Sequence, residues 1–87
     1  MGIPDSIKPE HIRKAIEEIR RKGVPSRRQS TGYDLIDDDG RRYPPKYVVS
    51  IANRYANGVE LDSNEFSGGV ETNNFLKNKG FMIVDKD

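Results

Sequence analysis

A small α+β domain is predicted, with elements in the order α-β-β-α-α-β and one short antiparallel sheet packed against helices. Three observations carry that prediction. Apolar residues recur at helical spacing twice, at 12, 15, 16 and 19 and again at 48, 51, 52 and 55. An Asp39-Gly40 pair follows a short run of strand formers, which is a hairpin signal. The closing run Phe81-Met82-Ile83-Val84 is too short for a helix and follows Gly80. With 87 residues there is room for one domain, since domains run from about 50 to 250 residues. The whole of 1–87 is expected as that unit, with 1–6 and 85–87 as loose ends.

The first helix opens at Lys8-Pro9-Glu10, where Pro9 suits the N1 position because its missing N–H would have no partner there. Ile12, Ala15, Ile16 and Ile19 form one apolar stripe, and Arg20, Arg21 and Lys22 complement the negative end of the helix dipole. Gly23 and Pro25 stop it. Residues 24–32 then read as a polar, basic loop. Tyr33-Asp34-Leu35-Ile36 and Arg41-Arg42-Tyr43 flank the Asp37-Asp38-Asp39-Gly40 tip as a two-stranded hairpin, which needs helices to pack on. Tyr43 and Pro44 each precede a proline and stay extended. Pro45 opens the second helix, with Val48, Ile51, Ala52 and Tyr55 inward and Asn57-Gly58 closing it. After a loop holding Leu61 and Phe66, a third helix is predicted over 71–79, with Phe75 and Leu76 inward, and then the final strand.

Composition excludes several classes of function. Leu, Ile, Val and Phe make only 20 of the 87 residues and mean hydropathy is −0.83. Disorder, however, pairs such scarcity with a large net charge, and here 15 bases nearly cancel 14 acids. The chain has no cysteine, so disulfides, cysteine-ligated metal and thiol nucleophiles are excluded and a reducing compartment fits. No apolar run reaches the roughly 18 residues of a membrane span, and no signal peptide is evident. A cytoplasmic location without membrane association is expected.

Nothing in the sequence assembles a catalytic site. The one histidine, His11, sits on a polar helix face without a second positioned group for acid–base work. Asp37-Asp38-Asp39 lacks the spacing of a calcium loop and reads as a solvated hairpin tip. Ser67-Gly68-Gly69 is followed by no Lys-Ser/Thr and is no phosphate-binding loop of the Walker kind. Those glycines ahead of a helix still leave outward N–H groups, a potential anion site, with Thr72, Asn73 and Asn74 beside it; a tight turn with a Ser67 or Thr72 cap is the plainer reading. No enzyme, metal or cofactor is expected.

Charge is segregated along the chain. Residues 41–55 carry four bases and no acid, and 33–40 carry four acids and no base. Lys22, Arg27 and Arg28 can therefore converge with Arg41, Arg42 and Lys46 on a basic face, interleaved with Gln29, Ser30, Thr31, Tyr43 and Tyr47. The rival reading is that these arginines solubilise a small domain and pair with the Asp run.

Gly-Arg-Arg-Tyr-Pro-Pro-Lys-Tyr-Val-Val-Ser-Ile-Ala at 40–52, Glu-Phe-Ser-Gly-Gly at 65–69, Thr-Asn-Asn-Phe-Leu at 72–76 and Gly-Phe-Met-Ile-Val at 80–84 together resemble a defined module, the N-terminal head domain of ScoMcrA-like proteins. The resemblance covers nearly the whole chain. It implies a place in a modification-dependent, HNH-type restriction system that acts in defence against foreign DNA. Cleavage is not implied, because HNH histidines and metal ligands belong to a separate domain; the chain is either an excised domain or a free-standing version. The expected function is a non-catalytic DNA-binding module that contacts duplex backbone through its basic face. Arg27, Arg28, Arg41, Arg42 and Lys46 are candidates for phosphates, and Ser30, Tyr43 and Asn73 for closer contacts. DNA, duplex and either plain or modified, is the expected partner, together with other domains of a nuclease. Base flipping needs an aromatic pocket, and Phe75, Phe81 and Tyr55 are claimed by the core, so backbone contact is favoured over modified-base readout. The alternative is a protein-docking domain that positions nuclease or partner domains, the charged segments serving as complementary patches.

Overall fold

The computed structural model describes residues 2–29 and 32–86. Along it run α1 (Pro9–Lys22), β1 (Tyr33–Ile36), β2 (Arg42–Tyr43), α2 (Pro45–Asn57), α3 (Val70–Asn78) and β3 (Met82–Asp85). This is the α-β-β-α-α-β order and the α+β class read from the sequence. Single 3₁₀ turns at Ser26–Arg28 and Ser63–Glu65 punctuate two connections that had no periodic signal.

Each helix starts and stops where local chemistry requires. Pro9 and Pro45 take the first helical positions of α1 and α2, and Gly23 and Gly58 follow their ends at φ 81° and 90°, a region glycine enters without steric cost. At the start of α1 the Lys8 N–H donates to His11 Nδ1 at 2.9 Å. The histidine is thus a cap, occupying the place that Glu or Gln takes in a capping box.

The sheet has the order β2-β1-β3, antiparallel throughout. Leu35 at its centre faces Tyr43 on one side and Ile83 on the other, and it is fully buried. Tyr33, two residues earlier on the same face, is exposed, whereas Asp34 on the opposite face is buried with Arg42 3.5 Å away. The hairpin tip is organised by Asp37, whose Oδ1 accepts from the backbone N–H groups of Asp39 and Arg41, both at 3.0 Å. Its other oxygen accepts from the Tyr43 hydroxyl at 2.8 Å.

The broadest packing is α1 against α2, and the core runs from Ile7 and the Ile12–Ile19 stripe through Val48, Val49, Ile51 and Ala52 to Leu35 and Leu76. Burying each such aliphatic side chain contributes about 1.5–3 kcal/mol. Two expectations about this core change. Tyr55 is exposed rather than inward; its hydroxyl donates to Glu18 Oε1 at 2.8 Å, so the phenol pairs with a carboxylate instead of packing. Phe75 and Phe81 are half-buried against the core's edge, while Val49 and Ser50 fill the inner face of α2. The Cα radius of gyration is 11.4 Å, against about 12 Å for a packed chain of this length.

Candidate functional site

Where α2 begins, the chain builds a cavity of about 270 Å³. Buried Pro44 and Pro45 form part of its wall, and the turn before α3 supplies Gly68, Gly69, Thr72 and Asn73. Arg27, Arg28 and Lys46 bring three cations to the lining, and no carboxylate is among the lining residues. Tyr33 stands at the same place, half open to solvent.

The three cations are held differently. Arg28 is committed to the protein: Nη2 donates to the buried Ser50 hydroxyl at 2.7 Å, Nη1 meets Glu60 at 3.3 Å, and the guanidinium lies 5.0 Å from the Tyr47 ring centre. Lys46 rests its ammonium 5.1 Å from the Phe66 ring centre and has no carboxylate partner among the described residues. Arg27, at the 3₁₀ turn, is exposed and pairs with no described residue.

The turn into α3 is held in shape from both sides. The Ser67 N–H donates to Glu71 Oε1 at 2.7 Å, and Thr72 Oγ1 donates to the Ser67 carbonyl at 2.6 Å. Gly69 takes φ 63°, ψ −124°, a conformation that side-chain-bearing residues avoid. The first-turn N–H groups of α3 have no carbonyl within the helix and carry the positive end of its dipole. Asn73, 7% exposed, lines the cavity, and its Oδ1 is shut from solvent with no hydrogen-bond donor. Buried polar atoms in folded proteins are nearly always paired.

Of the residues singled out in the sequence, the cavity collects Arg27, Arg28, Lys46 and Asn73. Arg41, Arg42 and Tyr43 stand on the hairpin outside its lining. Arg42 reaches Asp34 and the Asp85 carbonyl, and Tyr43 is buried with its hydroxyl given to Asp37. Burial and that carboxylate push the Tyr43 phenol up to about 12. Ser30 lies outside the described residues. Gly68 and Gly69 were legible as a possible anion site, but Tyr33, Ser63 and the Pro44-Pro45 wall carried no signal, since only the fold brings 33, 45 and 63 together.

A larger depression, about 590 Å³, separates α1 from the hairpin tip. Its lining mixes both signs, with Arg20 paired to Asp39 at 3.1 Å, so it offers no field of one sign. Among the described residues no group of His, Asp or Glu side chains is arranged to hold a metal ion, and no helix is long and apolar enough to cross a membrane.

Comparison with known proteins adds one match. The family described as ScoMcrA-like, N-terminal head domain, matches residues 5–85. No curated protein and no solved structure matches the chain.

Proposed function

The chain belongs to the ScoMcrA-like N-terminal head domain family, and from that premise we propose that it is a DNA-binding module without catalytic activity of its own. The family's description is of an N-terminal head domain, which we read as a module of restriction-type proteins that stands apart from their nuclease domain. In our reading Arg27 and Lys46 contact phosphates at the rim of the cavity, while Arg28 braces the 3₁₀ turn that presents Arg27. The observation that carries it is a concave lining in which Arg27 and Lys46 stand without a carboxylate partner, Arg28 being paired with Glu60, in a chain whose net charge is only +1. Such local excess of one sign attracts polyanions even when the total charge is small. Arg41 and Arg42 extend the contacted face onto the hairpin.

Fluorescence anisotropy on labelled duplex DNA across a salt series tests this. Affinity is expected to fall linearly on a log–log plot, because each neutralised phosphate releases counterions. Arg27→Ala with Lys46→Ala is expected to weaken binding about tenfold at low salt and to reduce the slope by about two. Arg41→Ala with Arg42→Ala reports how far the face reaches. Flat traces on every DNA at low salt would sink the reading. One observation speaks for a protein partner instead: β3 is an edge strand with Met82 exposed, which suits addition of a strand from another chain.

A further inference from the structure

We infer that the cavity takes one unpaired nucleotide of a DNA strand, its phosphate on Arg27 and Lys46 and its base on the carboxamide of Asn73. The inference deepens the DNA reading and rests on it.

The lining makes two separate demands. Cations without a carboxylate call for an anion. Asn73 calls for something else: its carboxamide lines the cavity, its Oδ1 is an acceptor with no donor, and a turn of the side chain as a ligand enters would bring that oxygen from its closed position to a base. A phosphodiester carries no hydrogen to donate, so backbone contact alone leaves that oxygen unpaired. A nucleobase out of its pair offers N–H groups along its Watson–Crick edge, where adenine's N6–H donor and N1 acceptor match the oxygen and the N–H of an asparagine carboxamide. In duplex DNA most of those donors are spent on the complementary strand.

Shape agrees with this division. At about 270 Å³ the cavity is near the lower limit of small-molecule sites, roughly 300–1,000 Å³, which suits one nucleotide and not a run of them. The Pro44-Pro45 wall and the Tyr33 ring provide apolar surface for the faces of a base. In the same lining Gly68 leaves the backbone bare beside the Lys46 stem; a methyl group added there would lie 3.8 Å from Lys46 Cδ.

The test is a titration of the ¹⁵N-labelled protein, followed by amide NMR, with 2′-deoxyadenosine 5′-monophosphate, deoxyribose 5-phosphate and inorganic phosphate. The mononucleotide is expected to shift the Gly68, Gly69 and Asn73 side-chain resonances and to bind about tenfold more tightly than the sugar phosphate, the worth of one base contact. In parallel, a duplex with a single-nucleotide bulge is expected to bind about tenfold more tightly than the flush duplex. Asn73→Leu removes the buried acceptor while keeping its bulk; it should bring the mononucleotide down to the sugar phosphate and abolish the preference for the bulged duplex over the flush one. Equal binding of all three small probes, or equal binding of bulged and flush duplexes, overturns the inference and leaves the phosphate reading standing. Absence of binding to any DNA overturns both. Because the side-chain amide of Asn73 reports directly in the unmodified protein, the outcome does not hang on the variant's folding.

Discussion

Adjacent arginines carry different burdens here, and their difference is measurable. Arg28 satisfies the buried Ser50 hydroxyl, so Arg28→Ala is expected to cost about 1–3 kcal/mol by leaving that group unpaired. Arg27 touches no described residue, and Arg27→Ala should stay within about 0.5 kcal/mol. Urea denaturation of the two variants checks both. Nothing in Arg27-Arg28 as a dipeptide distinguishes them; the distinction arises because α2 passes beneath one and not the other. Acid sensitivity is set at the same scale. Arg54 holds the Glu18 carboxyl below its ordinary value of 4.5, burial opposes this, and the Tyr55 hydroxyl assists Arg54. A folded value below the unfolded one contributes stability that is present above about pH 4.5 and is lost as pH falls through the folded value. Asp37 acts in the same direction: desolvation raises it, but the Tyr43 hydroxyl and two backbone N–H groups outweigh that. The thermal midpoint should therefore fall below pH 4.5, and Glu18→Gln should make that fall shallower.

At the scale of elements, the helices were legible because prolines open two of them and glycines follow their ends, and those residues act through their own backbone. The hairpin was legible for the same reason. What stayed hidden was of two kinds. The Glu18–Arg54–Tyr55 cluster that joins α1 to α2 depends on partners that only packing brings together, whereas the His11 cap is local and hidden because a histidine takes the place usual for Glu or Gln. Arg27, Arg28, Lys46 and Asn73 were readable one by one, but the wall around them was not, because Tyr33, Pro45 and Ser63 share no sequence neighbourhood. The turn before α3 gives the sharpest prediction. Gly69→Ala forces a side chain into φ 63° and should cost about 1–3 kcal/mol, while shifting amide resonances across 67–73. A melting curve with an amide spectrum checks it.

Across the whole molecule, the central strand is served by unequal neighbours. β2 lends two residues and is cut off by Pro44, which follows it, whereas β3 pairs with all of β1, from Tyr33↔Asp85 to Ile36↔Met82. Pairing across so long a stretch of chain carries a loop-closure cost that local helix contacts do not. If that cost makes β3 dock late, Ile83→Ala is expected to speed unfolding far more than it slows folding, as stopped-flow chevrons would show. The order of docking has a consequence for biosynthesis. While the protein emerges from the ribosome, the helical half can assemble as soon as α2 is clear, but β1 keeps a bare hydrogen-bonding edge until the last strand follows. For that interval a nascent head domain exposes an adhesive edge to its neighbours on a polysome, and how fast residues 82–85 follow decides how long it does so.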